Sequence, residues 1–203
     1  MKIVQPGFVV EDLVNGEEML RKIEAAGRTC YKSEEKITPQ SARVFVKSLI
    51  ARGHESVLEH EKVTVRVFCD RGVSHEIVRH RIASYSQEST RYCNYGGAVT
   101  YVYPDFILSH EDMMVLDLLE RHYTKRLSEG LTPQQARYFL PNGLKTEIVC
   151  TFNLREWRHF FRLRTAPAAH PQMRQITLPM LEWFKDAIPV VFDDINVMEP
   201  KER

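Results

Sequence analysis

Residues 62–70, KVTVRVFCD, alternate strictly between two faces of an extended chain. Four apolar residues share one face, and three residues share the other: Val63, Val65, Val67 and Cys69, against Thr64, Arg66 and Phe68. A period of two predicts a β-strand with one buried face. The segment TEIVCTF, residues 146–152, is typical of a buried strand, and a short strand opens the chain.

Apolar residues at helical spacing predict long helices at residues 16–27, 38–53, 109–130 and 171–188. Three local signals mark them: Gly27 as the C-terminal cap of the first, Ser109 with Asp112 as a capping box at the start of the third, and Pro179 as a kink or interruption in the fourth. Helices outnumber strands and regular βαβ units are missing, so we predict an α+β fold with a small sheet.

Length and charge restrict the function of the chain. Its 203 residues are enough for one core, so we expect a single domain over residues 1–203. Lys plus Arg number 28 against 27 Asp plus Glu, so the cationic excess of sequence-independent nucleic-acid binding is missing. Widely spaced cysteines, no leader peptide and no apolar run of about 20 residues predict a reduced, cytoplasmic protein without a membrane span.

The segment HESVLEH, residues 54–60, brings histidines and carboxylates close together in the sequence. Such residues can bind a divalent metal, but the HExxH spacing that puts two histidines on one helical turn is missing. An exposed polar loop is the alternative for this segment, and we predict no metal site.

Residues 71–92, RGVSHEIVRHRIASYSQESTRY, concentrate arginines and hydroxyl side chains. Four apolar residues predict a short helix: Val73, Ile77, Val78 and Ile82. This helix would place His75 and Arg79 on one face, and the stretch ASYSQEST would follow as a polar loop. Arg79, Arg81 and Arg91 offer forked donors that suit phosphate. We interpret the stretch as a site for an anionic nucleotide; a solvated helix end with ion pairs is the alternative.

A second basic element is NLREWRHFFRLR, residues 153–164, where Asn153 followed by Glu156 predicts a helix start. Its basic side consists of Arg155, Arg158, His159 and Arg162. Arg164 ends the helix just before TAPAAHP, where a side chain can enter a cleft. The two arginine-rich elements together predict one anionic site. Neither GxGxxG nor GxxxxGK[ST] occurs, and no cysteine has the surroundings of a catalytic nucleophile.

Four motifs occur in one order between about residues 54 and 176. They are GHESVLEH, the triplet Arg79-His80-Arg81 followed after seven residues by Ser89, ARYFLP around Arg137, and NLREWRHFFRLR with its terminal Arg164. This set resembles the flavin-dependent thymidylate synthases, the ThyX family, with their RHRx7S signature. The resemblance implies a small central, mostly antiparallel sheet flanked by helices, in a homotetramer whose sites are assembled from several subunits.

The resemblance also implies the ligands and their residues. FAD would contact Ser56, Arg79, His80, Arg81, Gln87, Asn153, Leu154, Arg155 and His159. The substrate dUMP would contact Glu76, Ile77, Val78, Arg79, Gln87, Glu88, Ser89, Thr90, Arg91, Arg137 and Arg164. Four positions differ from common family residues: Ser86-Gln87 replaces an Asn-Glu pair, Ser56 replaces Thr, and His159 replaces Asn.

The implied reaction is the reductive methylation of dUMP to dTMP, with 5,10-methylenetetrahydrofolate as carbon donor and NADPH as reductant of the flavin. Arg91 with the hydroxyls of Ser89 and Thr90 would hold the dUMP phosphate. Arg164 would be the catalytic residue and stabilise charge at the N3 and O2 side of the pyrimidine. We interpret Ser89 as a binding residue, since no base is paired with it.

Two other functions remain open from the residues alone. One is a nucleic-acid binding module in which tyrosines stack on bases: Tyr85, Tyr92 and Tyr95. The near-neutral charge of the chain speaks against it. The other is a metal-dependent nucleotide hydrolase with His54, Glu59, His60 and His80 as ligands.

Overall fold

The computed structural model describes residues 1–197. Its strands are β1 Lys2–Val4, β2 Gly7–Val10, β3 Lys62–Asp70, β4 Ala83–Gln87, β5 Thr100–Val102 and β6 Lys145–Asn153. Its α-helices are α1 Gly16–Thr29, α2 Ser41–Ala51, α3 Arg71–Ile77, α4 His110–Ser128, α5 Pro133–Ala136, α6 Leu154–Arg164 and α7 Pro171–Ala187. Short 3-10 helices lie at Glu34–Lys36, Glu55–His60 and Arg137–Phe139.

The strands form a four-stranded antiparallel sheet and a separate parallel pair. The order in the larger sheet is β2, β3, β6, β4, and the parallel pair consists of β1 and β5. In the pair, Lys2 is the partner of Thr100 and Val4 the partner of Val102. The fold is therefore α+β with a small antiparallel sheet flanked by helices, as the sequence predicts.

The chain groups into two compact units. The first unit contains Met1–Phe8, Arg66–Arg79 and Tyr85–Val149; the second contains Val9–Val65, His80–Ser84 and the described part of Cys150–Arg203. The first unit has a core cluster of buried residues from β5, α4 and α5 with their connections: Val99, Tyr101, Tyr123, Ala136 and Leu144.

Aromatic rings dominate the core of the second unit. The ring of Trp157 on α6 lies 4.3 Å from that of Phe152 on β6 and 4.9 Å from that of Phe184 on α7. Its indole Nε1 donates to the carbonyl of Val63 on β3 at 3.0 Å, so the buried polar group of this side chain is satisfied. These contacts fix the first turn of α6 against the ends of two strands.

Several local predictions are confirmed. β3 buries Val63, Val65, Val67 and Cys69, the face that the alternation selects. At the start of α4 the Ser109 hydroxyl accepts from the Asp112 amide at 3.1 Å, and the Asp112 carboxylate accepts from the Ser109 amide at 2.8 Å. A capping box satisfies two amides that a helix start would leave without partners.

The predicted cap at Gly27 is wrong, because α1 continues to Thr29. A Cβ atom at Gly27 would lie 2.7 Å from Cε1 of Phe45 on α2. The glycine is required by the close approach of the two helices and not by the end of the first one. α7 continues through Pro179 as one helix, so the prediction of an interruption is wrong and the alternative, a kink at Pro179, stays a prediction.

The predicted loop after Ile82 is also wrong, because residues 83–87 form β4 at the edge of the four-stranded sheet. The amide of Glu88, next to this strand, donates to the carbonyl of Glu147 at 2.9 Å. An edge strand can carry polar residues on the side that faces solvent, which hides it from a search for apolar periodicity. The helix before it, α3, ends at Ile77, so Arg79 shares no helix face with His75.

Arg158 is fully buried, although the sequence places it on the basic side of α6. Its guanidinium donates to Glu55 at 3.0 Å and to Asp194 at 2.7 and 2.8 Å, and it also donates to the carbonyl of Val191. A buried cation is tolerated when carboxylates and carbonyls satisfy its donors. Arg158 therefore holds the segment after α7 in place and is not part of an open basic surface.

The described part of the chain has neither a membrane-spanning helix nor a disulfide. Within residues 1–197, no helix has both the length and the apolar character that a membrane span requires. No disulfide joins the four cysteines, all of which lie in that range.

Candidate functional site

The second unit contains a pocket of about 460 Å³ beside the start of α6. It is lined by Glu55, Glu59, Ile82, Asn153, Arg155, Glu156, His159 and Arg162. Three of these belong to the predicted FAD residues: Asn153, Arg155 and His159. The volume is within the range of small-molecule sites, about 300–1,000 Å³.

The transition from β6 into α6 places these side chains. The Asn153 side chain accepts from the Glu156 amide at 2.8 Å and so caps the helix. The Leu154 amide donates to the carbonyl of Glu61 at 2.9 Å, and the Leu154 side chain is buried. The two remaining FAD candidates on this helix are Arg155 and His159. Both are exposed, and they lie one turn apart. Leu154 thus anchors the turn, and its neighbours offer donors to a ligand.

Arginines pair with the carboxylates of the pocket. Arg155 donates to Glu59 at 2.6 Å, and Arg162 donates to Glu55 at 3.0 Å. Burial would raise the pKa of Glu55, but hydrogen bonds from Arg162 and Arg158 outweigh burial and hold that pKa below its usual value. Glu55 is therefore an anion at neutral pH that positions arginines, and it is not a proton donor.

His80, the centre of the RHR triplet, is buried with only 3% of its surface exposed. Its Nδ1 lies 3.0 Å from Oε1 of Glu156, and its Nε2 accepts from Nε of Arg164 at 3.1 Å. Burial lowers the pKa of His80, as do the charges of Arg164 and His159, while Glu156 acts in the opposite direction. The imidazole is therefore neutral at neutral pH.

One trio among the described residues could offer metal ligands: His80, Glu156 and His159, whose donor atoms lie within 4.8 Å of one another. A metal would have to displace Glu156 or Arg164 from the ring nitrogens of His80, and the guanidinium would oppose a second cation. The trio does not include His54 or His60, the histidines of HESVLEH. The geometry therefore favours a hydrogen-bonded cluster over a metal site.

The other FAD candidates are not among the residues that line this pocket. Ser56 is exposed on the Glu55–His60 turn and Arg81 is exposed after His80. Arg79 and Gln87, which the resemblance gives to both ligands, belong to the first unit.

The first unit brings together four predicted dUMP residues. The Ser89 hydroxyl accepts from the Arg91 amide at 3.3 Å, and Arg137 donates to the Thr90 hydroxyl at 3.3 Å. Nε of Arg91 donates to Gln134 at 3.0 Å. Two exposed guanidiniums and two hydroxyls thus lie at one surface, and this donor set suits a phosphate.

Gln87 and Glu88 are held by buried or charged neighbours. Nε2 of Gln87 donates to the hydroxyls of Ser74 at 2.9 Å and Thr146 at 3.2 Å. Glu88 accepts from the Tyr95 hydroxyl at 2.6 Å and from Lys145 at 3.3 Å. Both residues line a pocket of about 620 Å³ in this unit. Their orientation is therefore fixed before a ligand arrives.

The remaining dUMP candidates lie at the end of α3 or on α6. Ile77 is buried and its carbonyl accepts from the Tyr85 hydroxyl at 2.9 Å, whereas Val78 and Arg79 are exposed and Glu76 is half-buried. Arg164 belongs to the second unit, unlike the other residues of the dUMP set.

The sequence reasoning missed several partners of these residues. Glu156 was interpreted as a helix start only, although Glu156, Phe160 and Arg164 recur every four residues along one row of α6. Lys145, Thr146 and Gln134 contact dUMP candidates without any motif of their own. Only the four-residue spacing was a signal that the sequence alone contained.

Comparison with known proteins decides the family. The model of the thymidylate synthase complementing protein family matches residues 12–190. A curated flavin-dependent thymidylate synthase of Geobacter sulfurreducens is 34% identical over 182 residues, covering 83% of this chain and 78% of the relative. The chain belongs to the flavin-dependent thymidylate synthase family. The resemblance of the motifs is thus confirmed.

A second flavin-dependent thymidylate synthase and a solved structure are also similar to this chain. The enzyme of Pyrococcus horikoshii is 38% identical over 157 residues, covering 73% of this chain and 65% of its own. Among solved structures, a UMP/dUMP methylase PolB from Streptomyces cacaoi bound with 5-Br dUMP has a TM-score of 0.78. It is 22% identical, and the match covers 95% of this chain and 96% of that one, so it supports the fold.

Proposed function

We propose that the chain catalyses the reductive methylation of dUMP to dTMP, with 5,10-methylenetetrahydrofolate as carbon donor and NADPH as reductant through FAD. The observation that carries the proposal is the family match over residues 12–190, which contains the complete RHRx7S motif. We further propose that residues 1–203 act as one cytoplasmic domain in a homotetramer. Nucleic acid is not among the proposed partners, because the net charge is only +1.

The pocket of the second unit fits part of a flavin nucleotide. Asn153, Arg155 and His159 provide amide, guanidinium and imidazole donors at its wall, and these suit the oxygens of the flavin ring and of phosphate. Arg81 and Ser56, exposed in the same unit, would extend these contacts. A bound flavin would supply the redox chemistry that the side chains lack.

The hydroxyl and arginine cluster of the first unit would bind dUMP. Ser89, Thr90, Arg91 and Arg137 would hold the phosphate, since their donors already lie side by side. Gln87, fixed by Ser74 and Thr146, would present its amide to the pyrimidine or the flavin. These contacts bind and orient the substrate.

Arg164 would act on the pyrimidine itself. A guanidinium facing N3 and O2 stabilises negative charge that develops there, which makes C6 a better acceptor of hydride. The bond to His80 uses Nε of Arg164, and the guanidinium also carries donors on its two terminal amino groups.

The proposal is tested by adding FAD to the purified protein. We expect a bound flavin spectrum, a higher thermal midpoint and bleaching by NADPH, because a ligand that binds only the folded state stabilises it. Formation of dTMP from dUMP and methylenetetrahydrofolate should then depend on FAD. The proposal is contradicted if saturating FAD changes neither the spectrum nor the thermal midpoint. It is also contradicted if the reduced protein forms no dTMP.

A further inference from the structure

Three residues of α6, spaced by four, meet the same buried ring. Glu156, Phe160 and Arg164 lie along one row of the helix, and each contacts His80. The centroid of the Phe160 ring lies 4.9 Å from that of His80, in an edge-to-face arrangement. The imidazole therefore connects the first turn of α6 with its last residue.

Hydrogen bonds hold both ends of the connection. His80 and Glu156 are buried, and the Glu156 amide is fixed by the cap from Asn153 at 2.8 Å. The carbonyl of Arg164 accepts from the buried Thr177 hydroxyl on α7 at 2.9 Å. Arg164 is half-buried, and long side chains on a helix lean toward its N-terminus, which directs the guanidinium back toward His80.

The hydrogen-bond pattern assigns the proton of His80. A guanidinium has donors and no acceptor, so Nε2 of His80 must be the acceptor for Arg164. In a neutral imidazole the proton then lies on Nδ1, which donates to the Glu156 carboxylate. Glu156 thus selects the tautomer whose other nitrogen can hold Arg164.

We propose that Glu156 and His80 are positioning residues that orient the Arg164 guanidinium for its action on the pyrimidine. The inference rests on the proposed function and adds two residues to it. Since the imidazole is neutral, it fixes the direction of the guanidinium without cancelling its positive charge. A carboxylate in the same place would fix the direction and reduce the charge that the reaction uses.

Protonation of His80 would break the hydrogen bond between Arg164 and His80. A doubly protonated imidazole has no acceptor for Arg164, and two cations would then face each other. The titratable or charged groups against the ring include Glu156, His159 and Arg164 on α6, and Phe152 on β6 also contacts it. Activity that depends on the arrangement is complete above the pKa of His80 and is lost as pH falls through it.

The first test is Glu156→Gln, compared with Glu182→Gln as a matched control. Glu182 is exposed on α7, pairs with Lys185 and is not one of the candidate site residues. We expect kcat for dTMP formation to fall about 10- to 100-fold in Glu156→Gln, as when partners that orient a histidine are removed from other sites. The KM for dUMP should change little, flavin reduction by NADPH should fall less than kcat for dTMP formation, and Glu182→Gln should match the wild type in both.

The pH profile of Glu156→Gln gives a readout that a purely structural role would not move. The Glu156 carboxylate favours the protonated imidazole, so its neutralisation lowers the pKa of His80. The acid limb of kcat should therefore shift to lower pH in this variant. An unchanged limb, or wild-type kcat in a variant with a normal flavin spectrum, would overturn the proposal.

Two substitutions of His80 separate its two nitrogens and keep the proposal testable if Glu156→Gln fails to fold. The Gln side chain places its terminal oxygen near the position of Nε2 and can still accept from Arg164, whereas Asn reaches only the position of Nδ1. We expect His80→Gln to retain more dTMP formation than His80→Asn. Flavin reduction by NADPH should be equal in the two variants. Equal losses of dTMP formation would overturn the proposal. A wild-type protein that makes no dTMP would overturn the proposed function and this inference with it.

Discussion

Two arginines of α6 show how a partner decides the role of a residue. Arg158 is fully buried and pairs with the carboxylates of Glu55 and Asp194. Its charge therefore stabilises the fold. Arg164 is half-buried and is held through Nε by a neutral imidazole. Sequence composition gives both residues the same basic character. Burial beside two carboxylates is what identifies Arg158 as a structural cation.

Arg164→Ala should affect methylation far more than flavin reduction. Loss of a donor that acts in the transition state costs about 2.7–4 kcal/mol, or about 100- to 1,000-fold in the rate of dTMP formation. Arg164→Lys should recover only part of the rate, because an ammonium lacks the forked pair of donors. The two half-reactions are measured separately, by flavin bleaching with NADPH and by dTMP yield. Equal losses in both would contradict the assigned role.

At the scale of elements, the sequence predicted the strands and helices that have a strong apolar periodicity or a capping residue. The strand at Lys62–Asp70 has apolar alternation, and the helices at His110–Ser128 and Leu154–Arg164 have apolar periodicity with a capping residue at the start. The strand Ala83–Gln87 was missed because it lies at a sheet edge and is mostly polar. Its pairing comes from a partner strand about 60 residues later, which no local pattern contains.

The candidate site was predictable as motifs and not as contacts. The RHRx7S signature placed His80 and Ser89 in the site, but His80 contacts Glu156, which lies 76 residues later in the chain. Burial of that pair depends on the packing of α6 against the sheet, a tertiary property. The same limit explains why Arg158 was expected at the surface and lies in the interior.

The cap of α6 gives a test at this scale. Asn153→Ala removes the acceptor for the Glu156 amide and should lower the free energy of unfolding by about 1 kcal/mol, whereas Asn153→Asp keeps an acceptor and should stay near the wild type. Denaturant unfolding without flavin measures this effect apart from ligand binding. Equal stability of the Ala and Asp variants would show that the cap contributes nothing to the fold.

At the scale of the molecule, the predicted ligand residues are divided between two units. Most FAD candidates belong to the second unit, and the dUMP candidates other than Arg164 belong to the first. The family resemblance implies sites completed by several subunits, and a single pocket of about 460 Å³ suits only part of a dinucleotide. Activity is therefore expected to require the oligomer.

We predict a mass near four times the 23.7 kDa of the chain in light scattering at assay concentration. On dilution, dTMP formation should fall together with the tetramer fraction, since association follows mass action. Full activity of a monomer at nanomolar concentration would contradict shared sites.

Gly27 has a consequence for the stability of α1. A glycine inside α1 lowers the intrinsic stability of that helix by about 0.5–1 kcal/mol relative to alanine, so the isolated segment forms helix poorly. The contact with Phe45 that needs the glycine is available only once α2 is formed. The two helices are neighbours in sequence, and the loop between them closes at small entropic cost. We therefore expect α1 to gain its stability from packing against α2, so that a change that removes α2 would also unfold α1.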